Sequence, residues 1–592
     1  MVDIAVFRGR LAGLEGFHAA GDNESTAQSF FDLLGDLETQ SFGSGPQANQ
    51  AMGSAILRML NILCDPAFRV PDRFRFALLQ HNCLIANLMA GCLGMTTDPY
   101  LELVKGDPQE LYKTLVLYSA RNRSTVDIAK GFQLDPELVS QWLFQSWKLG
   151  LSGMCNRHVA GRLSAMLDDI NPRIIPAPEL HQVYFACTYL GNDRERRIKE
   201  IVNNAVQRDL RRPITNRPNP RKIAVFSDFF WRGHSVYRTQ GHLIRALKEG
   251  PSPYHLTFIH AGALPEEKRD FTLFDEVIEL PFDGVQLNIG PLERNDFAAV
   301  IFPDVGMTLT SIFLANQRIA PVQLAMVGHS ASTFGACVDY YLSGAEVESA
   351  HHSHLNYSER LVLPPGYGLV HEKPVYQRKN PPREGLDLVV NGSWAGQKLH
   401  WTYLEALNRI GSQSDRPMRL QVFPGLAPMR HKGMPAFIRE IASTVSSLKV
   451  EVFTNLPYQN YMETMEKAEF ALDCFPFSGC NTVSDLLYLG IPVLCREGTR
   501  WFNRIGPAML RSIGLEELVA TTDAEYIKKA VRLANDEPYR AHLRERIAAA
   551  DLDRHIYAPR GAREFRRFMD RVIADRDAFP GHEPIVLERE GE

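Results

Sequence analysis

From Phe470 the chain passes through an apolar stretch into Cys474-Phe-Pro-Phe-Ser-Gly-Cys480 and then Asn481-Thr-Val-Ser-Asp485. This order predicts a strand, a small-residue loop, a helix opening near Asn481 or Thr482, a stop at Gly490 and Pro492, and a second buried strand reaching Cys495. The start of such a helix presents unpaired N–H groups and a partial positive charge, which suits a phosphate. Asp485, one turn inside, is placed to accept hydrogen bonds from ribose hydroxyls. The same residues also fit a local role, with Asn481 or Thr482 capping the helix and Asp485 complementing its dipole. Two further residues lie in loops after predicted strands, where a doubly wound sheet gathers its ligand contacts. They are His234, in Gly233-His-Ser-Val-Tyr-Arg-Thr239, and Lys398, which follows Gly392-Ser-Trp-Ala-Gly-Gln397. A histidine with a pKa near ~6.5 can orient or deprotonate an acceptor at neutral pH.

These loops need sheets to carry them. Strands are expected at Lys222–Ser227, His255–His260, Glu276–Leu280, Ala298–Phe302, Val322–Val327 and Val338–Leu342, with helices between. A second alternating series is expected at Leu386–Asn391, Arg419–Phe423, Lys449–Phe453, Phe470–Phe475, Pro492–Cys495 and Leu518–Ala520. Strands alternating with helices imply two parallel, Rossmann-like sheets. The chain before them, from Thr26 to Arg211, keeps the helical period almost throughout and reads as all-α. Proline-interrupted connections at Arg208–Lys222 (Pro213, Pro218, Pro220) and Pro374–Gly385 separate the parts. The expected fold is therefore α/β, of GT-B type, preceded by an all-α domain. Its parts are 1–212 (all-α), 222–373 and 384–555 (the two Rossmann-like domains) and 556–592 (a C-terminal helix and tail). No 34-residue helical repeat is found. Ser124–Gln145 has the outline of a helix-turn-helix DNA reader, but its second helix carries no lysine or arginine before Lys148, so two packed helices are preferred.

With 592 residues, 45% hydrophobic and 23% charged, the composition is that of a globular protein of several domains. A net charge of −4 gives no electrostatic reason to expect nucleic acid. Nine scattered cysteines without a Cys-x-x-Cys pair argue for reduced thiols, against a zinc site, and for the cytoplasm. No signal peptide or membrane span is expected. His351, His352 and His354 resemble a metal cluster but lack further ligands at suitable spacing, and surface histidines are the preferred reading.

The Cys474–Asp485 segment resembles the nucleotide signature of glycosyltransferase family 41, which includes O-GlcNAc transferases and bacterial N-glycosyltransferases of adhesins. Three other stretches, in the family's order, resemble its motifs: Gly233–Thr239, Gln397-Lys398, and Gly328-His-Ser-Ala-Ser-Thr with Tyr357-Ser-Glu-Arg-Leu. The resemblance covers about Lys222 to Ala550. It implies that His234 faces the acceptor and that Lys398 neutralises the departing diphosphate. Gln397, Cys480, Asn481, Thr482 and Asp485 then hold the UDP-sugar, while His329, Ser330 and Ser332 line the sugar or acceptor side. The only Asp-x-Asp triplets, Asp551-Leu-Asp553 and Asp575-Arg-Asp577, fall in the helical tail, so no metal or other cofactor is expected. The missing repeat array points to the adhesin-modifying branch. The expected activity is inverting transfer of a hexose, glucose first, from UDP to Asn in Asn-X-Ser/Thr of a protein such as an adhesin before export. Transfer to Ser or Thr, or a non-enzymatic scaffold or DNA-binding regulator, are the alternatives.

Overall fold

The computed structural model describes residues 4–39, 46–151, 153–174, 180–208, 216–261, 271–349, 352–382, 385–425, 433–454 and 456–588. Pro213 of the first predicted connection, His351, and the expected domain limits at 212, 384 and 592 lie outside the described residues. The architecture is a helical N-terminal region followed by two parallel-sheet Rossmann-like domains.

The first sheet contains β1 (Asn219–Phe226), β2 (His255–His260), β3 (Glu276–Glu279), β4 (Phe297–Phe302), β5 (Val322–Ala325), β6 (Tyr340–Leu342) and β7 (Arg360–Leu363). The second contains β8 (Leu388–Trp394), β9 (Met418–Phe423), β10 (Lys449–Val452), β11 (Phe470–Leu472), β12 (Val493–Arg496) and β13 (Val519–Ala520). A last strand, β14 (Ile585–Val586), returns to the first sheet, whose order is β14-β7-β6-β5-β4-β1-β2-β3. The second sheet runs β10-β9-β8-β11-β12-β13. The order reverses between β1 and β4 in one sheet and between β8 and β11 in the other, and ligands of such folds bind outside the carboxyl ends of the strands at these switch points.

Two strands were not foreseen. β7 begins within the Tyr357-Ser-Glu-Arg-Leu stretch, and β14 falls in a tail expected to be helical. Both are short, and β14, the edge strand, joins β7 from far along the chain, Val362 pairing with Ile585. Local periodicity carries no signal for such a pairing.

By its contacts the chain divides into two units. The first comprises 1–190, 393–412 and 421–455, and the second 191–392, 413–420 and 456–592. β8 and β9 run from one into the other.

In the first unit, helices bury an apolar interior around Phe30, Leu60, Leu84, Trp142 and Trp147. The predicted helix-turn-helix becomes Ile128–Leu134 and Pro136–Ser146, capped by the side chains of Asp127 and Asp135. Ser140 and Trp142 of the second helix are packed inside, in keeping with two packed helices. The helix Gly433–Thr444, which follows β9, belongs to the same unit. At Gly91 a β-carbon would stand 2.5 Å from the backbone nitrogen of Ala436, so only glycine allows the two segments to approach this closely. Beside that contact the buried Arg121 pairs with Glu440 and donates from Nε to Asn87 Oδ1 at 3.1 Å. The Cys155 thiol donates to Glu440 Oε2 at 3.1 Å.

In the second unit the first sheet is covered by the helices Ser235–Ala246 and Ala562–Ala574. Leu243, Ile244, Phe565, Phe568 and Met569 pack on Val225, Phe258, Ile301 and Leu324. The helix Arg194–Arg208, read in the sequence as part of the all-α domain, falls in this unit. Its buried Lys199 and Asn203 donate to the carbonyls of Ser332 and Thr333. No single helix among the described residues is long and apolar enough to cross a membrane, although the bent pair Asp72–Leu79 and Asn82–Leu93 has the length and composition together.

Candidate active site

In the second unit, the loop after β11 is shaped by Asp473, which is fully buried at the strand's end. Its Oδ1 accepts from the Gly479 N–H at 2.8 Å and its Oδ2 from the Ser478 hydroxyl. Phe477 stacks on Phe502 at 4.4 Å, which pins the other side of the turn. The chain thereby enters the helix Asn481–Tyr488 through Cys480, the N-cap, whose side chain makes no capping bond. Asn481 and Thr482 do not cap this helix, contrary to the local reading. Asn481 Oδ1 instead meets His371 Nδ1 at 3.1 Å, and Thr482 is hydrogen-bonded to the buried Tyr461 hydroxyl. No side-chain cap thus occupies the helix start.

Asp485 is 2% exposed. Its Oδ1 accepts from the Tyr458 hydroxyl at 2.9 Å and from Arg238 Nη2 at 3.2 Å, whereas Oδ2 accepts no bond among the described residues. Burial pushes this carboxyl above the usual range, and the Arg238 guanidinium pulls it back. Arg238 and Tyr458 thus anchor one oxygen of Asp485.

Arg238 belongs to the helix Ser235–Ala246, and His234 caps that helix. His234 Nδ1 accepts from the Val236 N–H at 3.2 Å, and the ring stacks on Phe229 at 4.9 Å. A ring nitrogen that accepts a backbone N–H carries no proton of its own, so the neutral imidazole holds its hydrogen on Nε2. In this tautomer Nδ1 is engaged by the start of the helix. The loop carrying it is held at the switch point by two side chains. Ser227 donates to Asp304 Oδ2 at 2.8 Å, and Asp228 Oδ1 accepts from Ala261 N at 2.8 Å. Asp304 is enclosed beside the Asp228 charge, its Oδ1 has no partner among the described residues, and burial pushes its carboxyl up to about 8.

The expected sugar or acceptor wall has a different character. His329 is 4% exposed, with Lys199 Nζ 3.5 Å from its Nε2, and burial keeps it neutral. Ser332 is fully buried and donates to Glu359 Oε2 at 2.7 Å, while Thr333 N donates to Glu359 Oε1. The Tyr-Ser-Glu-Arg-Leu stretch thus supplies, through Glu359, the clamp that holds this loop. Ser330, half-buried, donates to the Val327 carbonyl at 3.1 Å.

Lys398 and Gln397 belong to the first unit. β8 ends at Trp394, Ala395 adopts φ 112°, and a tight turn Gly396–Lys398 leads to His400, which caps the helix Trp401–Gly411. A positive φ at a residue with a β-carbon is strained and is kept only where the surroundings enforce it. Here Ala395 N and Gly396 N donate to the carbonyls of Phe423 and Pro424, and Trp401 N donates to the Met154 carbonyl at 2.9 Å. Arg157 lies 4.7 Å over the Trp401 ring. Helical-region residues therefore fix the turn that carries Lys398. Gln397 Oε1 is buried there without a hydrogen bond among the described residues.

Sequence reasoning did not find Arg238, Tyr458 or His371. Arg238 lies within the quoted Gly233–Thr239 stretch and could have been weighed with it. Tyr458 and His371 carry no local signal, because only the tertiary fold brings them to the helix start.

A helical region, two parallel Rossmann-like sheets and a loop-to-helix anion site after the fourth strand of the second sheet define the GT-B plan. Residues 436–561 match the model of glycosyl transferase family 41. The chain is a relative of that family's proteins, in keeping with its motifs. It is 24% identical over 541 residues to a UDP-glucose:protein N-beta-glucosyltransferase of Actinobacillus pleuropneumoniae, covering 84% of each chain. A probable UDP-N-acetylglucosamine–peptide N-acetylglucosaminyltransferase SPINDLY of Hordeum vulgare is 22% identical over 326 residues, 51% of this chain and 34% of its own. A variant of the Thermobaculum terrenum O-GlcNAc transferase superposes with a TM-score of 0.59 at 18% identity, over 97% of this chain and 99% of that one. This last likeness concerns the fold alone.

Proposed function

We propose that the chain is a glycosyltransferase that moves glucose from UDP-glucose to the side-chain nitrogen of Asn in Asn-X-Ser/Thr sequences of a protein acceptor, with inversion and without a metal ion. The observation that carries this reading is the extent of the Actinobacillus likeness. Its 84% share of this chain is larger than the residues after Leu190 can supply, so it extends into the helical region. The likeness to the SPINDLY proteins stops at about half the chain.

The geometry supports donor binding. The helix start at Asn481 offers N–H groups to the diphosphate and Asp485 Oδ2 accepts a ribose hydroxyl; the role given to Lys398, positive charge on the leaving group, rests on the motif resemblance. His234, protonated on Nε2, orients the acceptor over the sugar carbon. An amide nitrogen is a poor nucleophile, so orientation counts for more than proton removal. Nine cysteines, all free, support a reducing, cytoplasmic setting.

The test is to incubate the purified chain with a panel of UDP-sugars and with Asn-X-Ser/Thr and Ser-rich peptides, then weigh and fragment the products. Hexose on Asn is expected. Modification of Ser or Thr alone would move the reading to O-transfer, and no product with any UDP-sugar would favour a scaffold. Turnover should also survive EDTA; activity lost in chelator and restored by manganese or magnesium would overturn the metal-free part.

A further inference from the structure

His371 lies in the connection between the two Rossmann-like domains, on a strap held to the His234 helix. Val370 N donates to the Thr239 carbonyl at 3.0 Å and Glu372 N to the Arg238 carbonyl at 3.1 Å. The strap thereby delivers the imidazole to the first residue of the helix Asn481–Tyr488, where Nδ1 stands 3.1 Å from Asn481 Oδ1. The ring is 1% exposed, and its Nε2 is buried with no hydrogen-bond partner among the described residues.

A carbonyl oxygen only accepts, so Nδ1 carries the hydrogen and donates it. Burial, with the nearby Arg238 charge acting in the same direction, lowers this histidine to about 4 and keeps it neutral at physiological pH. Nε2 is then a lone pair without a donor, a state that costs free energy inside a protein until a donor arrives. Four residues after Asn481 on the same helix, Asp485 uses only Oδ1 for its bonds to Arg238 and Tyr458, leaving Oδ2 without a hydrogen bond among the described residues. Arg238 joins the two positions, bonded to Asp485 through its side chain and to the strap through its carbonyl.

A buried acceptor without a donor, held against the first residue of a helix whose fifth residue is Asp485, suits a ligand that carries adjacent hydroxyls. We infer that His371 is a binding residue for the nucleotide donor, its Nε2 accepting one hydroxyl of the ribose diol while Asp485 Oδ2 accepts the other. This rests on reading the helix start at Asn481 as the donor site.

The experiment measures affinities for UDP, 2′-deoxy-UDP and 3′-deoxy-UDP by calorimetry, in the full-length chain and in His371→Leu and His371→Gln. In the unaltered chain, loss of either hydroxyl should weaken binding roughly five- to tenfold. His371→Leu should weaken UDP by a similar factor and then lose no further affinity towards one of the two deoxy analogues. His371→Gln, which keeps an acceptor oxygen, should recover most of the UDP affinity. The inference is overturned if both deoxy analogues lose the same factor in His371→Leu as in the unaltered chain. It is equally overturned if the unaltered chain binds UDP but discriminates neither analogue, an outcome that needs no variant to fold. Failure of the unaltered chain to bind UDP at all would instead remove the donor-site reading, and this inference with it.

Discussion

Arg238 Nη2 stands 3.2 Å from Asp485 Oδ1, joining the helix that His234 caps to the helix that begins at Asn481. The residue expected to hold the donor's ribose and the residue expected to face the acceptor are thus linked through a single guanidinium, which also lies 5.0 Å over the Tyr458 ring.

Removing that guanidinium leaves a buried carboxyl whose pKa burial has already raised, without the charge that opposes the rise. In Arg238→Ala, Asp485 should therefore ionise only as the pH climbs. UDP affinity should be weakest at the acidic end of the range and recover as the pH rises, more steeply than in the unaltered chain. Calorimetry at three pH values checks this, and a profile no steeper in the variant would show that Arg238 does not set the charge of Asp485. Asp485→Ala should weaken UDP at every pH by roughly 1.5–3 kcal/mol, the scale of a charged hydrogen bond.

Lys398→Ala should lower turnover about 10²-fold or more while UDP still binds, because the charge acts on a diphosphate that becomes more negative as the sugar departs, a contribution of about 3 kcal/mol. Single-turnover rates with saturating donor measure it. A rate within threefold of the unaltered chain would remove Lys398 from the site.

His234→Ala should abolish transfer and leave UDP affinity within about threefold. Since His234 Nδ1 already accepts the Val236 N–H, the working form is the neutral donor tautomer. The rate should accordingly change little with pH above about 7. A steep rise through that region would indicate a base and contradict the orienting role.

Asp304 offers a test of stability. Its folded pKa of about 8 lies above the ordinary carboxylate range, so the folded chain retains a proton that the unfolded chain releases. Between about pH 4 and pH 8 this group costs stability as the pH rises, by at most about 1.4 kcal/mol per pH unit. Asp304→Asn removes that dependence. Its melting temperature relative to the unaltered chain should increase from pH 5 to pH 8.5, and a pH-independent difference would mean that Asp304 is ionised in the fold.

The parallel sheets were legible because buried strands such as Ala298–Phe302 are continuous apolar runs bounded by turn residues, and nearly every predicted strand falls within a few residues of its place. The loop before Asn481 was legible for the same reason, as small residues between a strand and a helix leave few alternatives. What the helix start does with its side chains was not legible. Asn481 looks like a cap in isolation, and only the strap carrying His371, more than a hundred residues earlier, gives its oxygen another partner. Ser332 likewise looks like a ligand-facing hydroxyl until Glu359, just before a strand that periodicity missed, is seen to accept its hydrogen. Tertiary contacts of this kind leave no trace in local spacing.

The glycine at position 91 bears on how such proteins can be recombined. With no room for a β-carbon against Ala436, and with Glu440 relying on Arg121 and Cys155 for its buried bonds, the helical region and the Gly433–Thr444 helix form a matched lock. A chimera that grafts a foreign helical region onto this catalytic half would inherit a carboxylate stranded in an apolar seam, which costs about 3–5 kcal/mol when a buried pair loses one partner. Exchanging the helical region between relatives therefore requires carrying the Gly433–Thr444 helix along with it as a single cassette.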